Sequence, residues 1–255
     1  MGTADPRRSL FVCCDLRSYG AADDGLQREL QELLVGSLDR AGAAAGLDRS
    51  RWTRQPKGDE EWAVLPSTEP ERRVVDDYVR ALDRELSAVN KWRVPAGRLR
   101  MRLALHHGVV VEGANGFPGQ DPVLVSRLLN CSAARRALEQ FPEAALVVVL
   151  SDHLYSSMVR PGHTTLRPED FRRIDVVEKT FTGQGWLWIP NGDAHALILE
   201  ERDSDQGRVP AGQHATATGG STVFMAGRDV AQHAEVIQNF SGNDQRGSHF
   251  GTRRG

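Results

Sequence analysis

The chain has 255 residues, enough for one full hydrophobic core with some length left over. Its 32 basic and 34 acidic residues nearly cancel, which argues against a nucleic-acid or membrane partner that needs a strong net field. The apolar run from residue 9 to residue 14 is too short for a signal-peptide core or a spanning helix, so we expect a cytoplasmic protein. Three cysteines, Cys13, Cys14 and Cys131, cannot all pair, and we expect them to be reduced and buried.

Strand and helix patterns alternate at short spacing from residue 9 to about residue 190. Apolar residues at helical spacing predict three helices, which begin near Asp24, near Pro66 and at Asp121. The third helix is expected to continue through Ala133, and a short helix is expected after Ser151. Apolar and β-branched runs predict strands at 9–15, 51–55, 61–65, 99–105, 145–150, 172–177 and 185–189.

This order of elements predicts an α+β fold of the ferredoxin-like type, a mainly antiparallel sheet with helices packed on one face. We expect this domain to span residues 9–192. Residues 203–255 contain no Leu, Lys, Trp, Tyr or Cys, which predicts a disordered C-terminal tail. Within the tail, residues 221–240 gather β-branched and aromatic residues, so we expect a β-prone segment that pairs with copies of itself.

Two aspartates lie where predicted strands give way to turns. Asp15 closes the first strand, and Asp59 lies at the tip of the predicted hairpin, 44 positions later. Either one alone is an ordinary turn residue, but a strand end and a neighbouring hairpin tip can bring two carboxylates onto one cation. Magnesium prefers oxygen ligands and is commonly held by one or two carboxylates plus substrate phosphates. The pair therefore predicts phosphate chemistry on a nucleoside triphosphate.

These residues resemble the metal motifs of the class III nucleotidyl cyclases. The segment Phe11-Val-Cys-Cys-Asp-Leu-Arg-Ser-Tyr19 resembles the first metal motif, and Gly58-Asp59 resembles the second, at the separation usual in that family. Three further segments are similar to the family's His-x-Gly strand, its later arginine-bearing helix and its next strand and helix: 99–108, 119–127 and 149–155. The resemblance covers about residues 9–190 and implies the cyclase version of the ferredoxin-like sandwich.

The resemblance also implies a catalytic site shared between the two protomers of a homodimer. Asp15 and Asp59 would be catalytic and would bind Mg²⁺ or Mn²⁺, and Arg127 of the partner subunit would stabilise the phosphoryl group during transfer. The implied reaction forms a 3′,5′-cyclic nucleotide and pyrophosphate, in bacterial signalling or antiphage defence. The implied substrate-binding residues are Leu16, Ser18, Tyr19, Gln55, Asn115 and Lys179.

The chain departs from the family pattern at two positions. Gln55 stands where the family has a purine-reading Lys or Glu, and Val123 stands where it has an Asn that orients the ribose. A neutral amide can still donate to and accept from a base edge, whereas valine cannot hydrogen-bond. Either the substrate is unusual, as in the pyrimidine cyclases of phage-defence systems, or the site is weakened.

Two alternatives to an active class III cyclase follow. One is a pseudo-cyclase that senses nucleotide or assembles through its tail, where residues 226–230 resemble short amyloid-type signalling motifs. The other is a GGDEF-type diguanylate cyclase, suggested by Gly58-Asp59-Glu60. That reading ranks last because the chain lacks the Gly-Gly before the Asp and the Asn-Asp segment of that family.

Overall fold

The computed structural model describes residues 5–114, 116–178 and 181–199. The strands are β1 (Arg7–Leu16), β2 (Thr53–Lys57), β3 (Glu60–Val64), β4 (Met101–Val110), β5 (Leu146–Ser151), β6 (Arg172–Glu178) and β7 (Phe181–Trp188). The helices are α1 (Asp24–Ala44), α2 (Val79–Asn90), α3 (Gln120–Leu129), α4 (Ser132–Gln140) and the short α5 (Asp152–Leu154). π-Helical turns at Arg73–Tyr78 and Tyr155–Val159 precede α2 and follow α5.

The seven strands form one sheet in the order β2-β3-β1-β4-β5-β7-β6. Every neighbouring pair is antiparallel except β4 and β5, which are parallel. The expected α+β fold with a mainly antiparallel sheet is therefore confirmed, as is the hairpin of β2 and β3. The long central strand β1 pairs along most of its length with β4, from Arg7 opposite Val110 to Leu16 opposite Met101.

Helices cover both faces of the sheet, and the expectation that they pack on one face is wrong. Successive residues of β1 point to opposite faces, so Leu10 and Val12 join one core while Phe11 and Cys13 join another. The first core is closed by α1 and α2, and the second by α3 and α4. Sequence periodicity predicts the helices but does not indicate which face of the sheet each helix covers.

The third predicted helix is in fact two helices, because the chain breaks at Asn130 and Cys131. The Asn130 side-chain amide donates to the Ser126 carbonyl at 3.2 Å, a local bond that competes with helix continuation. Cys131 then adopts an extended backbone, with φ −65° and ψ 149°, before α4 begins at Ser132. Ala133, expected in the third helix, consequently lies in α4.

The predicted tail at 203–255, with its interaction segment at 221–240, lies outside the described residues. Within the described ranges, no helix has the length and apolar character that crossing a bilayer requires.

A buried polar network fixes the start of α3 against the sheet. Asp121, in the first turn of α3, accepts from His106 Nε2 at 2.8 Å and from the Val109 backbone N–H at 2.6 Å. Since an ionised carboxylate only accepts, His106 carries its proton on Nε2, and its Nδ1 accepts from the Ser151 hydroxyl at 3.0 Å. Burial lowers the pKa of His106, which keeps the ring neutral in this network. The network joins β4, β5 and α3.

Gly108 leaves the space that this network needs. A Cβ atom at Gly108 would lie 2.4 Å from Asp121 Cγ and 2.6 Å from His106 Nε2. Both atoms belong to buried or hydrogen-bonded groups that cannot move without breaking the bonds to α3. We expect Gly108→Ala to lower the free energy of unfolding by about 1–3 kcal/mol, measured by urea denaturation.

Gly20→Ala is the matched control, because no heavy atom lies within 4 Å of a Cβ atom at Gly20. Its free energy of unfolding should stay within about 0.5 kcal/mol of the wild type. Equal stability of the two variants would contradict the role assigned to Gly108.

Candidate active site

The β2–β3 hairpin brings Asp59 to the end of β1, beside Asp15. The Leu16 backbone N–H donates to the Asp59 carbonyl at 3.0 Å, which ties the hairpin tip to the strand. Asp15 also lies opposite Glu60 in the register of β1 and β3. The two aspartates are close enough for the charge of Asp59 to raise the pKa of Asp15. The strand end and the hairpin tip therefore meet in space.

Arg102 on β4 is the direct partner of Asp15. The two residues are opposite each other in the β1–β4 register, and their side chains are 12% and 13% exposed. Arg102 Nε donates to Asp15 Oδ1 at 2.8 Å, and a second guanidinium nitrogen donates to Oδ2, so the pair is bidentate. The third nitrogen, Nη1, is buried and has no hydrogen-bond partner among the described residues.

Burial dominates the ionisation of Asp15 despite this ion pair. Burial raises the pKa of Asp15 to about 6, the Arg102 contact opposes the rise, and the charges of Asp59 and Glu60 add to it. A carboxylate surrounded in this way gains from additional positive charge beside it. A cation beside Asp15 would therefore stabilise its charged form, in competition with the existing Arg102 contact.

The residues present fit a cation that a nucleotide shares, but not one held by protein ligands alone. Two carboxylates supply hard oxygen ligands, and Asp15 keeps lone pairs beyond the two that Arg102 uses. Across the described part of the chain, no cluster of three or more His, Cys, Asp or Glu side chains could hold a metal ion. The remaining ligands would have to come from phosphate oxygens and water.

The end of β1 and the turn after it contain the next three expected substrate-binding residues. Ser18 is exposed and adopts the left-handed backbone region, with φ 62°, which a non-glycine residue seldom occupies. Tyr19 reaches toward the hairpin, and its ring edge lies 4.0 Å from the position of a Cβ atom at Gly58. Leu16 differs from these two, since its side chain is buried in the core and its N–H is bonded to Asp59.

A cavity of about 730 Å³ lies between the hairpin and α3 on the same face as Asp15. It is lined by Gln55, Pro56, Lys57, Glu60, Trp62, Gly116, Phe117, Ser126 and Asn130. Gln55 and Gly116 meet there, because a Cβ atom at Gly116 would lie 3.0 Å from Gln55 Nε2. Asn115, the other expected base-reading residue, lies outside the described residues. Two aromatic rings and several neutral hydrogen-bonding groups are the chemistry that a nucleobase needs.

Arg127 lies on α3, one residue after Ser126 of this cavity. Its side-chain Nε is buried and has no hydrogen-bond partner within the described ranges. No described hydrogen bond or ion pair joins Arg127 to Asp15 or Asp59 in the single chain. Lys179, the expected phosphate-binding residue, lies outside the described residues.

The Ser151–His106–Asp121 network has the connectivity of a hydrolase triad, but it is not a nucleophilic site. Ser151 is 2% exposed, and its oxygen also accepts from the Leu154 N–H at the start of α5. A substrate carbonyl cannot reach this hydroxyl without unfolding the α5 turn. The network instead positions α3, which carries Ser126 and Arg127 and ends just before Asn130.

Sequence reasoning missed Arg102, Trp62 and Asn130. One signal for Arg102 was present, since it occupies the polar face of the alternating strand 99–105. Its pairing with Asp15 depends on a strand register that joins residues 87 positions apart, and no local pattern encodes that register. Trp62 and Asn130 contribute to the cavity only after the hairpin and α3 come together.

The pKa of the Asp15 carboxyl group tests the placement of Arg102 and Asp59 beside it. Removing the opposing guanidinium with Arg102→Met should raise the pKa of Asp15 above about 6, and Asp59→Asn should lower it. Because the folded pKa exceeds the unfolded value of about 4, Asp15 favours folding increasingly as the pH falls from about 6 to about 4.

Carbon-13 NMR titration of aspartate carboxyl groups in metal-free protein measures both pKa shifts. Asp121 serves as an internal reference, since burial alone would raise its pKa but the bonds from His106 and Val109 hold it below the ordinary value. An Asp15 pKa that is unchanged in both variants would contradict the geometry.

Comparison with known proteins supports the fold. No protein-family model and no curated protein matches the chain. The guanylyl cyclase Cya2 superposes with a TM-score of 0.52 at 15% identity, covering 74% of this chain and 93% of that one. An adenylate/guanylate cyclase/hydrolase from Silicibacter pomeroyi superposes with a TM-score of 0.54 at 16% identity, covering 73% and 99%. The chain therefore has a divergent form of the class III nucleotide cyclase fold that its motifs resemble.

Proposed function

We propose that this protein is a nucleotide cyclase that converts a nucleoside triphosphate into a 3′,5′-cyclic nucleotide and pyrophosphate. The observation that carries the proposal is the meeting of Asp15 and Asp59 at the end of β1, in a chain with the cyclase fold. The ribose 3′-oxygen forms a bond to the α-phosphorus, and the bond from that phosphorus to the bridging oxygen of the β-phosphate breaks. Pyrophosphate is the leaving group, and the 3′-hydroxyl proton passes to solvent.

Asp15 and Asp59 would hold Mg²⁺ or Mn²⁺ together with the phosphate oxygens. Such an ion stabilises the charge that builds up on the attacking and leaving oxygens. Arg102 holds Asp15 in the free protein and has a spare buried nitrogen, so it can turn from the carboxylate to a phosphate oxygen when substrate arrives. The buried, unpartnered Nε of Arg127 is likewise suited to an incoming phosphoryl oxygen.

The base would occupy the cavity between the hairpin and α3. Trp62 and Phe117 offer aromatic faces, and Gln55, Ser126 and Asn130 offer neutral donors and acceptors. Gln55 occupies the position where the family resemblance implies a Lys or Glu, although Lys57 and Glu60 also line the cavity. This difference supports an altered base preference, with a pyrimidine as one candidate.

The active form would be a homodimer with two shared sites. Arg127 lacks a contact with Asp15 in the single chain, which is consistent with a site that Arg127 of the partner subunit completes. The biological setting we propose is bacterial signalling or antiphage defence in the cytoplasm, with the tail as a homotypic partner.

A pseudo-cyclase is the second candidate, and two observations favour it. Val123, where the family has the ribose-orienting Asn, is 43% exposed at the start of α3 and offers no hydrogen bond. Arg102 also holds both oxygens of Asp15, which competes with a cation. In this reading the fold senses nucleotide without turnover.

Purified full-length protein incubated with each of the four common triphosphates and Mg²⁺ or Mn²⁺ should yield a cyclic product detected by mass spectrometry. We expect Asp15→Asn, Asp59→Asn and Arg127→Gln each to lower the rate by at least about a hundredfold. Intact triphosphate in every reaction, with nucleotide still bound, would establish the pseudo-cyclase instead.

Mixing the inactive variants tests the shared site. Asp15→Asn and Arg127→Gln proteins, combined in equal amounts and allowed to exchange subunits, should recover roughly one quarter of the wild-type rate. Half of the dimers are then mixed, and one of the two sites in each mixed dimer is intact. A mixture of Asp15→Asn with Asp59→Asn is the control and should recover nothing, because both substitutions fall on the same side of the site.

A further inference from the structure

Three arginines surround a cavity just beyond the end of β1. The cavity has a volume of about 260 Å³, and Arg17, Arg98 and Arg100 line it together with Ser18. Its apolar side comes from Leu26 and other residues near the start of α1. Arg17 and Ser18 belong to the turn that follows Asp15, so this arginine cavity adjoins the candidate active site.

The arginine cavity carries positive charge that the described residues do not neutralise. Glu143 is the one described carboxylate that pairs with these arginines; it bonds Arg98 Nη1 at 2.8 Å and is itself 83% exposed. Arg17 and Arg100 donate instead to backbone carbonyls. Burial and then the charges of Arg17 and Arg98 lower the pKa of Arg100, which reflects the crowding of like charges.

Part of this arrangement has an ordinary structural explanation. Arg100 Nη2 donates to the Leu138 and Phe141 carbonyls at 2.6 and 2.7 Å, and Arg17 Nη1 donates to Leu138 at 3.1 Å. Arginines at a helix C-terminus satisfy its last carbonyls, and α4 ends here. That explanation does not include Arg98.

Arg98 is the residue that points to a ligand. Its Nε is buried and lacks an acceptor in the part of the chain that the structure describes. A buried donor without a partner is costly, and a shift of the partly exposed Arg98 side chain toward an anionic oxygen in the cavity would satisfy it. Its ion pair with the exposed Glu143 is screened by solvent and is easily exchanged for a ligand.

The shape and charge of this region fit a small condensed phosphate. Arg98 and Arg100 also line a second cavity of about 270 Å³, to which Lys91 contributes another cation. Both cavities are smaller than the roughly 300–1,000 Å³ that larger organic ligands need. Guanidinium groups match phosphate oxygens in geometry and charge. Cations spread over two adjoining spaces favour an elongated anion over orthophosphate.

We propose that the arginine cavity binds pyrophosphate or the diphosphate end of a nucleotide, at a subsite separate from the Asp15–Asp59 carboxylates. This inference rests on the proposed function for the origin of the ligand, because pyrophosphate is the leaving group of the proposed reaction. The subsite takes up this product beside the turn where it is released.

Isothermal titration calorimetry of the full chain with sodium pyrophosphate in EDTA tests the subsite without any divalent cation. Arg98→Gln should weaken binding about tenfold, since it removes a charge-assisted contact. Glu143→Gln should strengthen binding several-fold, because it frees Arg98 from its competitor. Opposite effects from the two members of one ion pair are not expected from a loss of stability.

Arg84→Gln is the matched control, since Arg84 is exposed and lines a different cavity with Asp83, Asp170 and Asp193. Its pyrophosphate affinity should equal that of the wild type. Equal affinities in the wild type, Arg98→Gln and Glu143→Gln, or no binding at all, would overturn the proposal. Orthophosphate binding as tight as pyrophosphate would overturn the preference for a condensed phosphate.

Two further measurements distinguish failure of the pyrophosphate subsite from failure of the proposed cyclase activity. They also identify the source of the ligand. The Asp15→Asn/Asp59→Asn double variant should bind pyrophosphate in EDTA as well as the wild type does. An inactive wild type that still shows the Arg98 and Glu143 effects would refute only the cyclase activity. A non-hydrolysable triphosphate whose affinity responds equally to Arg98→Gln would identify the substrate's own phosphates as the ligand, whereas a response confined to pyrophosphate would identify the product.

Discussion

The register of β1 between β3 and β4 is the constraint on which the candidate site depends. Asp15 lies opposite Glu60 on one side and Arg102 on the other. Side chains alternate between the two faces of a strand, so a slip of one residue would move Asp15 into the core with Val12 and Cys14. The many apolar contacts of β1 on both faces make such a slip costly. The hydrophobic pattern of a buried strand therefore fixes the position of a polar catalytic candidate.

The bidentate Arg102–Asp15 pair explains how a buried carboxylate persists in a free protein. Removing one partner of a buried ion pair leaves an uncompensated charge and is strongly destabilising. In the proposed function the same pair would supply two charged groups, Asp15 to hold the cation and Arg102 to hold a phosphate. Substrate binding would then exchange one ion pair for two, and little backbone movement would be required. Asp15 and Arg102 lie on paired central strands, which favours a preformed site, and Asp59 joins them from the hairpin turn.

Local sequence patterns predicted the strands and the β2–β3 hairpin, because each depends on periodicity or on turn chemistry within a few residues. The meeting of Asp15 with Asp59 also needs β1 to pair with β3, which the family resemblance implied and local patterns did not. The break between α3 and α4 was missed, since it depends on one side-chain bond from Asn130 to Ser126 that periodicity does not register. Arg102 and Trp62 were missed for a different reason. Their roles arise from strand pairing across long sequence separations, and a single sequence carries no direct record of that pairing.

The arginines near the end of β1 bear on how pyrophosphate, the product of the proposed reaction, would leave the site. Arg17 directly follows β1 and Arg100 directly precedes β4, and the Arg17 backbone N–H donates to the Arg100 carbonyl at 2.8 Å. Pyrophosphate gains negative charge as it leaves the α-phosphorus. In the proposed reaction, the pyrophosphate that forms beside the two carboxylates would be attracted toward the three arginines of the adjoining cavity.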